Sequence, residues 1–205
     1  MAEKPDMLQY EKEYYEKGYK YIAGVDEAGR GPLAGPVFAA AVIFDKDTVI
    51  NEINDSKKLS EKKREELFDV IREKALCYAI VSADEKEIDR INILAATLKC
   101  FNRAVSDLSI TPDIALIDGN RVGEMPVEAR TIVKGDANSM SIAAASILAK
   151  VARDRYITEM SHLYPEYNFQ KHKGYGTKEH LELIAKHGPS PIHRLTFKGV
   201  REYVK

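Results

Sequence analysis

Two adjacent carboxylates, Asp26 and Glu27, end the apolar segment 21–25. This segment is typical of a buried strand, and two charges at its end cost several kcal/mol to desolvate unless a cation or hydrogen bonds compensate them. Folding alone gives no reason to place two charges there. We therefore interpret the pair as part of a functional site.

Two more acidic residues lie at the ends of apolar segments. Asp118 ends the segment 114–117 and is followed by Gly119, and Asp136 comes shortly before a long apolar helix. Taken singly, the first is typical of a turn and the second of a helix cap. Because ligands of open α/β sheets bind beyond the strand ends, carboxylates from three strands can meet in one site. As a set they favour a hard cation such as Mg²⁺ or Mn²⁺, and two such ions suit phosphodiester hydrolysis.

The geometry of a regular strand sets a condition on this site. Neighbouring side chains of a strand point to opposite faces of the sheet, so Asp26 and Glu27 could share a cation only if the strand end were twisted or bulged. The glycines just downstream make such a distortion easy. We therefore predict a distorted end to the first strand.

The segment after the pair is rich in glycine and proline. The pattern Gly29-x-Gly31-x-x-x-Gly35 loosely resembles a dinucleotide-binding loop, but a strand follows it and it contains Pro32. A pyrophosphate would find no helix amino terminus there, and the Gly-Lys-Ser/Thr ending of a P-loop is absent. Glycines on both sides of Arg30 instead allow the backbone to approach a substrate closely.

The elements around these residues alternate as in a mixed α/β protein. The spacing predicts strands near 20–27, 36–44, 76–83, 113–118 and 129–134, and helices over 61–75, 91–108, 138–163 and 177–187. The first two strands are joined too closely for a crossover helix and should pair antiparallel, whereas the later strands alternate with helices and should be parallel. The expected fold is a five-stranded mixed sheet flanked by helices, with a helical carboxy-terminal extension.

Length and charge point to one domain with a basic end. The 205 residues fit a single domain, with a core over about residues 20–165 and a helical part over about residues 166–205. From residue 165 onward there are eight Lys or Arg and four Glu, whereas the whole chain has a net charge of −1. A basic segment beside an acidic site suits a phosphodiester substrate, but an ordinary solvated surface gives the same pattern.

The composition also indicates where the protein works. The amino terminus lacks the apolar centre of a signal peptide, and no apolar run is long enough for a membrane helix. Cys77 and Cys100 lie in apolar patterns without metal or redox spacing and are predicted to be buried thiols. We expect a cytoplasmic protein.

Five motifs in register resemble those of one family, ribonuclease HII, the type 2 ribonuclease H of bacteria, over about residues 20–200. The motifs are Asp26-Glu-Ala-Gly-Arg-Gly-Pro-Leu-Ala-Gly-Pro-Val37, Asp55-Ser-Lys-Lys-Leu59, Leu116-Ile-Asp-Gly-Asn120, Lys134-Gly-Asp136 with the segment 141–154, and Lys173-Gly-Tyr-Gly-Thr177 with His193-Arg194. None is decisive alone, but five in register are highly specific.

The resemblance implies a ribonuclease H-like fold and an endoribonuclease that cuts RNA paired with DNA or embedded in it. The four carboxylates of the family correspond to Asp26, Glu27, Asp118 and Asp136, which would be both the catalytic residues and the metal ligands. Two Mg²⁺ or Mn²⁺ ions are expected once substrate is bound. Cleavage 5′ to a ribonucleotide would leave a 3′-hydroxyl and a 5′-phosphate, as ribonucleotide excision repair and RNA primer removal require.

The resemblance also implies substrate contacts. Gly29-Arg30-Gly31 corresponds to the triplet whose backbone reads the ribose 2′-hydroxyl, and Tyr175 to the tyrosine that senses the RNA–DNA junction. Lys57 and Lys58 are interpreted as phosphate contacts, although lysines before a helix are usually only solvated. The expected partners are RNA–DNA hybrids and ribonucleotide-containing duplex DNA. We expect a monomer without membrane contact, and the sequence identifies no replication clamp or polymerase partner.

Other interpretations remain open. Ribonuclease HIII shares the four carboxylates and acts on hybrids, but it usually carries an extra amino-terminal domain and lacks the Gly-Arg-Gly triplet. A non-catalytic nucleic-acid-binding module would gain from losing four charges that repel phosphate. The basic segment and the Tyr175 motif argue against a structural metalloprotein or a hydrolase of small phosphates. A loose cluster of histidines suggests zinc only weakly; its members are His172, His180, His187 and His193.

Overall fold

The structure is a computed structural model that describes residues 6–53 and 56–204. Its five strands are β1 Ile22–Ala28, β2 Val37–Phe44, β3 Ala75–Ala83, β4 Ile114–Asp118 and β5 Glu128–Ile132. Its helices are α1 Gln9–Glu16, α2 Glu61–Lys74, α3 Glu85–Ile91, α4 Ile93–Ser106, α5 Met140–Leu163, α6 Phe169–His172 and α7 Lys178–His187.

The strands form one mixed sheet in the order β3-β2-β1-β4-β5, with β1 at its centre. β1 and β2 pair antiparallel, as their short connection predicts, and β1, β4 and β5 pair in parallel. β3 departs from the predicted parallel pairing because it joins the sheet beside β2, to which it is antiparallel. The carboxyl ends of the three parallel strands therefore lie side by side at one edge.

Helices cover both faces of the sheet. On one face α3 and α4 pack against alternate residues of β1 and β2, including Val25 and Ala41, and this layer contains the buried free thiols of Cys77 and Cys100. On the other face α2 and α5 pack against the intervening residues, such as Ala40 and Val42. Helix α5 is buried on several sides, as its apolar run predicts. Within the described part of the chain, no helix combines the length and apolarity that crossing a bilayer requires.

The helix predicted over 91–108 is confirmed as α4, whose ends lie two residues inside the predicted ones. Asn92 has a φ of +68° and separates α3 from α4, and its side chain accepts a hydrogen bond from the backbone N–H of Ala95. Asparagine tolerates this left-handed backbone and caps the second helix at the same time. The separate helix α3, which ends just before Asn92, was not expected from the sequence.

Helix α1 was not expected from the sequence, because its residues are mostly charged or tyrosine. Its Glu11 is buried and accepts hydrogen bonds from the hydroxyl of Ser139 and from both the hydroxyl and the backbone N–H of Ser141. A carboxylate at the amino terminus of α5 satisfies free N–H groups and opposes the positive end of the helix dipole. Helix α1 thus fixes the start of the long helix that follows Asp136.

The contact between β1 and α5 depends on the absence of a side chain at Gly24. A Cβ atom there would lie 2.1 Å from the backbone carbon of Ser141 and 2.4 Å from the backbone nitrogen of Ile142. Such distances require a backbone to move, because no side chain can rotate away. Gly24 therefore sets how closely α5 approaches the central strand.

We predict that Gly24→Ala lowers the free energy of unfolding by about 3 kcal/mol, as expected for severe overpacking against backbone. Gly123→Ala is the matched control, because its Cβ would meet only the Leu98 side chain, at 3.2 Å, and should cost less than about 1 kcal/mol. Urea unfolding of both variants checks the prediction. Equal losses for the two variants would contradict it.

Candidate active site

Strand pairing places two carboxylates side by side. The parallel strands β1 and β4 are in register at Val25 and Ile117, so the next residue of each strand, Asp26 and Asp118, comes beside the other at the carboxyl edge of the sheet. This is the convergence that the strand ends predicted. The register of two strands that are far apart in the sequence is what brings the two charges together.

The third aspartate is attached to this pair through the backbone. After β5 the chain turns at Lys134, whose φ is +57°, and the backbone N–H of Gly135 donates to Oδ1 of Asp118 at 2.7 Å. The N–H of Asp136 points to the same oxygen at 3.4 Å. The carboxylate of Asp118 thus holds the turn that carries Asp136, which is itself buried.

Asp26 lies in an environment that opposes its ionisation. Its side chain is only 4% exposed. Burial, followed by the negative charges of Glu27 and Asp118, raises the pKa of Asp26 well above its usual value of 3.8, although hydrogen bonds from the Glu27 N–H and from Ser146 act in the opposite direction. A carboxyl group whose surroundings destabilise its ionised form in this way is typical of a functional site.

The predicted distortion at the end of β1 is wrong. β1 pairs with β2 in unbroken register through Asp26, Glu27 and Ala28, so the two side chains leave a regular strand, yet their carboxylates interact at its end. Glu27 also interacts with Arg30, whose guanidinium is 3.4 Å from its Oε1. Burial raises the pKa of Glu27, the charge of Arg30 lowers it, and the charge of Asp118 raises it again. Glu27 is therefore coupled electrostatically to the aspartates across the strand end.

The donor set suits a hard divalent cation. Four carboxylates supply only oxygen ligands, and the like charges of two buried and two half-buried groups would be stabilised by a positive ion. Among the residues that the structure describes, no three acidic, histidine or cysteine side chains already have the mutual spacing of metal ligands. The chemistry of the set fits Mg²⁺ or Mn²⁺, and binding would have to draw the carboxylates closer together.

The glycine-rich loop is held from behind by a buried arginine. Arg194 is fully buried, and its guanidinium donates hydrogen bonds to four backbone carbonyls of this loop, at 2.6 to 3.0 Å. The carbonyls belong to Gly29, Arg30, Pro32 and Gly35. Burial, and then the like charge of Arg153, lowers the pKa of Arg194 to about 9, so it is still charged at neutral pH. One side chain thus fixes the backbone of the loop.

A second buried arginine connects the loop to Tyr175. The guanidinium of Arg153 donates to the carbonyls of Ala34 and Lys173 and lies 5.8 Å from the centre of the Tyr175 ring. Gly29 makes room for it, since a Cβ there would be 2.3 Å from Nε of Arg153, and the φ of +98° also favours glycine. The two segments that carry the predicted substrate contacts are therefore packed against one another.

These segments form one open cleft beside the carboxylates. The cleft is lined by Glu27, the triplet Gly29–Gly31, Ser146, Lys150 and Tyr175. A Cβ added to Gly31 would lie 3.6 Å from the ring of Tyr175, so the triplet and the tyrosine face each other across a short gap. The Tyr175 side chain is 45% exposed, which leaves its ring open to a ligand.

Of the two lysines predicted to contact phosphate, only Lys58 has a side chain that the structure describes. Lys58 is exposed on a short 3₁₀ turn over Ser56–Lys58, whereas Asp55 and the side chain of Lys57 lie outside the described residues. Lys150 was not singled out from the sequence, but it lies in the cleft, where its ammonium is 2.7 Å from Oδ1 of Asp154. Burial lowers the pKa of Lys150.

Sequence reasoning did not assign roles to the buried arginines. The signal for Arg153 is a charge that interrupts the apolar run of α5, whereas Arg194 is marked only by the His193-Arg194 motif. Three of the four clustered histidines, His172, His180 and His193, come together beneath Tyr175, and their ring nitrogens are engaged in hydrogen bonds.

Comparison with known proteins now decides the family. The sequence profile of the family described as Ribonuclease HII matches residues 23–200. The chain belongs to the ribonuclease HII family. It is 58% identical over 192 residues to the ribonuclease HII of Acetivibrio thermocellus, covering 94% of this chain and 75% of that protein. It is 52% identical over 197 residues to that of Caldicellulosiruptor bescii, covering 96% of both.

A solved structure agrees with the fold. The crystal structure of the ribonuclease H2 from Pyrococcus horikoshii OT3 superposes with a TM-score of 0.75 at 30% identity, covering 89% of this chain and 96% of the other. The expected ribonuclease H-like fold is thereby confirmed. Membership of the ribonuclease HII family makes this protein a type 2 ribonuclease H, a nuclease that acts on RNA-containing nucleic acid.

Proposed function

We propose that this protein is a divalent-metal-dependent endonuclease that cuts 5′ to ribonucleotides, both in RNA–DNA hybrids and at single ribonucleotides within duplex DNA. The observation that carries the proposal is the single cleft in which Glu27, the triplet Gly29–Gly31 and Tyr175 lie together beside the buried aspartates. Groups suited to cutting and groups suited to reading a sugar therefore share one surface.

The carboxylates provide the reactive end of this cleft. Asp26, Glu27, Asp118 and Asp136 would hold two Mg²⁺ or Mn²⁺ ions, and such ions supply a nucleophilic water near neutral pH and neutralise charge on the leaving oxygen. Asp26 is the central ligand in this proposal because it lies beside Asp118 and next to Glu27. Attack of water on phosphorus breaks the bond to the 3′-oxygen, so the upstream strand ends in a 3′-hydroxyl and the ribonucleotide keeps the 5′-phosphate.

The loop provides the reading end. Arg194 holds the carbonyls of Gly29 and Arg30, which fixes the direction in which the neighbouring peptide groups point. The backbone N–H groups of Arg30 and Gly31 have no acceptor among the residues that the structure describes. Rigid, unpaired N–H donors can bind a sugar or phosphate oxygen without a cost of ordering the loop, and the ribose 2′-hydroxyl is the oxygen that distinguishes RNA from DNA.

Tyr175 closes the other side of the cleft. Its ring faces Gly31, and a sugar that follows the recognised ribose would pack on the exposed side of this ring. A deoxyribose offers an apolar C2′ there, whereas a second 2′-hydroxyl would have to lose its hydration against an aromatic face. Tyr175 would therefore favour cleavage where RNA is followed by DNA.

These properties suit a role in removing misincorporated ribonucleotides and RNA primers. The proposed phosphate contacts of Lys57 and Lys58 and the cytoplasmic location belong to the same proposal, as does a monomeric state. The basic residues beyond position 165 support it, because cations beside an acidic site offset the repulsion between carboxylates and phosphate.

We predict that Asp26→Asn lowers the cleavage rate of a duplex with a single ribonucleotide by at least about a hundredfold, because it removes a charged oxygen ligand. Gel analysis of labelled duplex in Mg²⁺ measures the rate and identifies the 3′-hydroxyl product. Asp69→Asn, at an exposed position of α2, is the matched control and should cut like the parent. Cleavage by Asp26→Asn at the parent rate would refute the proposed chemistry.

We also predict that Tyr175→Ala lowers the preference for the RNA–DNA junction by about tenfold, the size of one lost sugar–aromatic contact. The preference is the ratio of kcat/KM at the junction to that at internal sites, mapped to the nucleotide on duplexes with one and with four ribonucleotides. Tyr203→Ala removes another exposed tyrosine and serves as the control. Equal cutting along the four-ribonucleotide tract by the parent and by Tyr175→Ala alike would contradict the role of Tyr175.

A further inference from the structure

The backbone beneath Tyr175 is held by a chain of two buried histidines. Nδ1 of His180 lies 2.9 Å from the carbonyl oxygen of Tyr175, and Nε2 of His180 lies 3.0 Å from Nε2 of His193. Nδ1 of His193 in turn lies 2.8 Å from the backbone nitrogen of Ser190. Both rings are buried, with exposed fractions of 0% and 1%.

The groups at the two ends of this hydrogen-bond chain determine which ring nitrogens of His180 and His193 carry a proton. A carbonyl oxygen can only accept, so Nδ1 of His180 must carry a proton and its Nε2 must accept from His193. From the other end, the N–H of Ser190 can only donate, so Nδ1 of His193 must accept and its Nε2 must carry the proton. The Ser190 hydroxyl, 2.7 Å from the same Nδ1, is then a donor as well. The two ends independently give the same assignment, which needs both rings neutral.

A third histidine supports the same segment. The backbone N–H of Gly174 donates to Nδ1 of His172, and Nε2 of His172 donates to the carbonyl of Tyr167. The His172 ring stacks on His180 with centroids 4.2 Å apart and planes 19° from parallel. The peptide groups on both sides of the Tyr175 nitrogen are therefore tied to imidazole rings.

The surroundings keep these rings uncharged. Burial lowers the pKa of His180 to about 4 and that of His193 to about 3. The aromatic rings of Tyr167 and Phe169 pack against His193 at 5.0 and 5.6 Å. The charged groups that act on His172 are Lys171 and Glu179, which pair with each other at 2.7 Å. A core that needed only volume would be filled by phenylalanine without burying polar rings.

We propose that His180, held in one tautomer by His193, is a positioning residue that fixes Tyr175 for reading the RNA–DNA junction. The proposal rests on the proposed role of Tyr175 and adds the structural cause of its orientation. A carbonyl held by a rigid ring cannot rotate freely, so the Tyr175 side chain leaves the backbone in one direction, towards Gly31 and Arg153.

The first test observes the protonation of the two hydrogen-bonded histidines directly. Long-range ¹H–¹⁵N spectra of the histidine rings at pH 7 should show His180 protonated at Nδ1 and His193 at Nε2, with neither ring titrating near pH 6.5. His162, an exposed histidine, provides the reference signal in the same spectrum. Finding His180 protonated at Nε2, or titrating near pH 6.5, would overturn the proposed hydrogen-bond chain without bearing on the role of Tyr175.

The second test measures how the hydrogen bonds of His180 affect the preference for the RNA–DNA junction. His180→Phe keeps the ring volume and removes both hydrogen bonds, and it should lower the preference for the junction by roughly fivefold, the effect of one lost hydrogen bond. His180→Asn keeps a donor near Nδ1 and should restore most of the preference. His162→Phe is the control and should leave the preference unchanged.

A double variant separates this inference from the proposed function. In a Tyr175→Ala background, His180→Phe should change the preference by less than about twofold, because the residue through which it acts is gone. A normal preference in His180→Phe, with a lost preference in Tyr175→Ala, would overturn the positioning role alone. A normal preference in Tyr175→Ala would instead refute the junction-reading part of the proposed function. Should His180→Phe fail to fold, the spectra and His180→Asn decide the question, since an Asn variant without junction preference also contradicts the inference.

Discussion

Two like charges fixed side by side are the constraint on which this structure depends. The register of β1 and β4 places Asp26 against Asp118, and the turn after β5 brings Asp136 to the same carboxylate. The backbone hydrogen bonds of the sheet hold this arrangement, so the side chains cannot separate without breaking strand pairs. The cost appears as the raised pKa of Asp26, whose causes are burial first and then its acidic neighbours. The repulsion between these carboxylates lowers the stability of the folded protein, and a bound cation would raise it again.

The carboxy-terminal part of the chain supplies the rigidity that the glycine-rich loop lacks. A loop with three glycines would sample many conformations, yet Arg194 fixes four of its carbonyls and Arg153 joins it to the Tyr175 segment. Both guanidiniums are buried, and their hydrogen bonds go to backbone oxygens, with Asp154 the carboxylate nearest to Arg153, at 3.9 Å. The loop therefore remains positive and open towards the cleft, which suits a polyanionic substrate.

The sequence predicted the parts of this fold that depend on local patterns. Apolar runs located all five strands, and the position of Asp118 and Asp136 at strand ends predicted that they would meet Asp26. The break at Asn92 and the existence of α1 could not be predicted, because a left-handed residue and a buried Glu11 depend on distant partners. The expected bulge at Glu27 was wrong for a related reason. It assumed that the strand had to be distorted for the two carboxylates to meet, whereas β1 pairs regularly with β2 and the two side chains still interact at the strand end.

The buried polar network was the least predictable part. Nothing in the types of His180, His193 or Arg194 distinguishes a buried, directed hydrogen-bond donor from a solvated side chain. Their roles follow from which backbone groups are left without partners by the turns around Gly29 and Tyr175, and those turns are known only once the chain is folded. Resemblance to the ribonuclease HII family located the segments, and the structure supplies the contacts within them.

The stability of Asp26→Asn with and without metal tests the central claim most directly. Because burial raises the pKa of Asp26, the folded state holds its proton more tightly than the unfolded state, so this residue reduces stability as the pH rises above 3.8. In EDTA at pH 8 we expect Asp26→Asn to melt at a higher temperature than the parent, with the difference shrinking as the pH falls. Added Mn²⁺ or Mg²⁺ should raise the melting temperature of the parent and leave the variant nearly unchanged. A variant that is less stable than the parent in EDTA, or that gains as much from metal, would contradict the account.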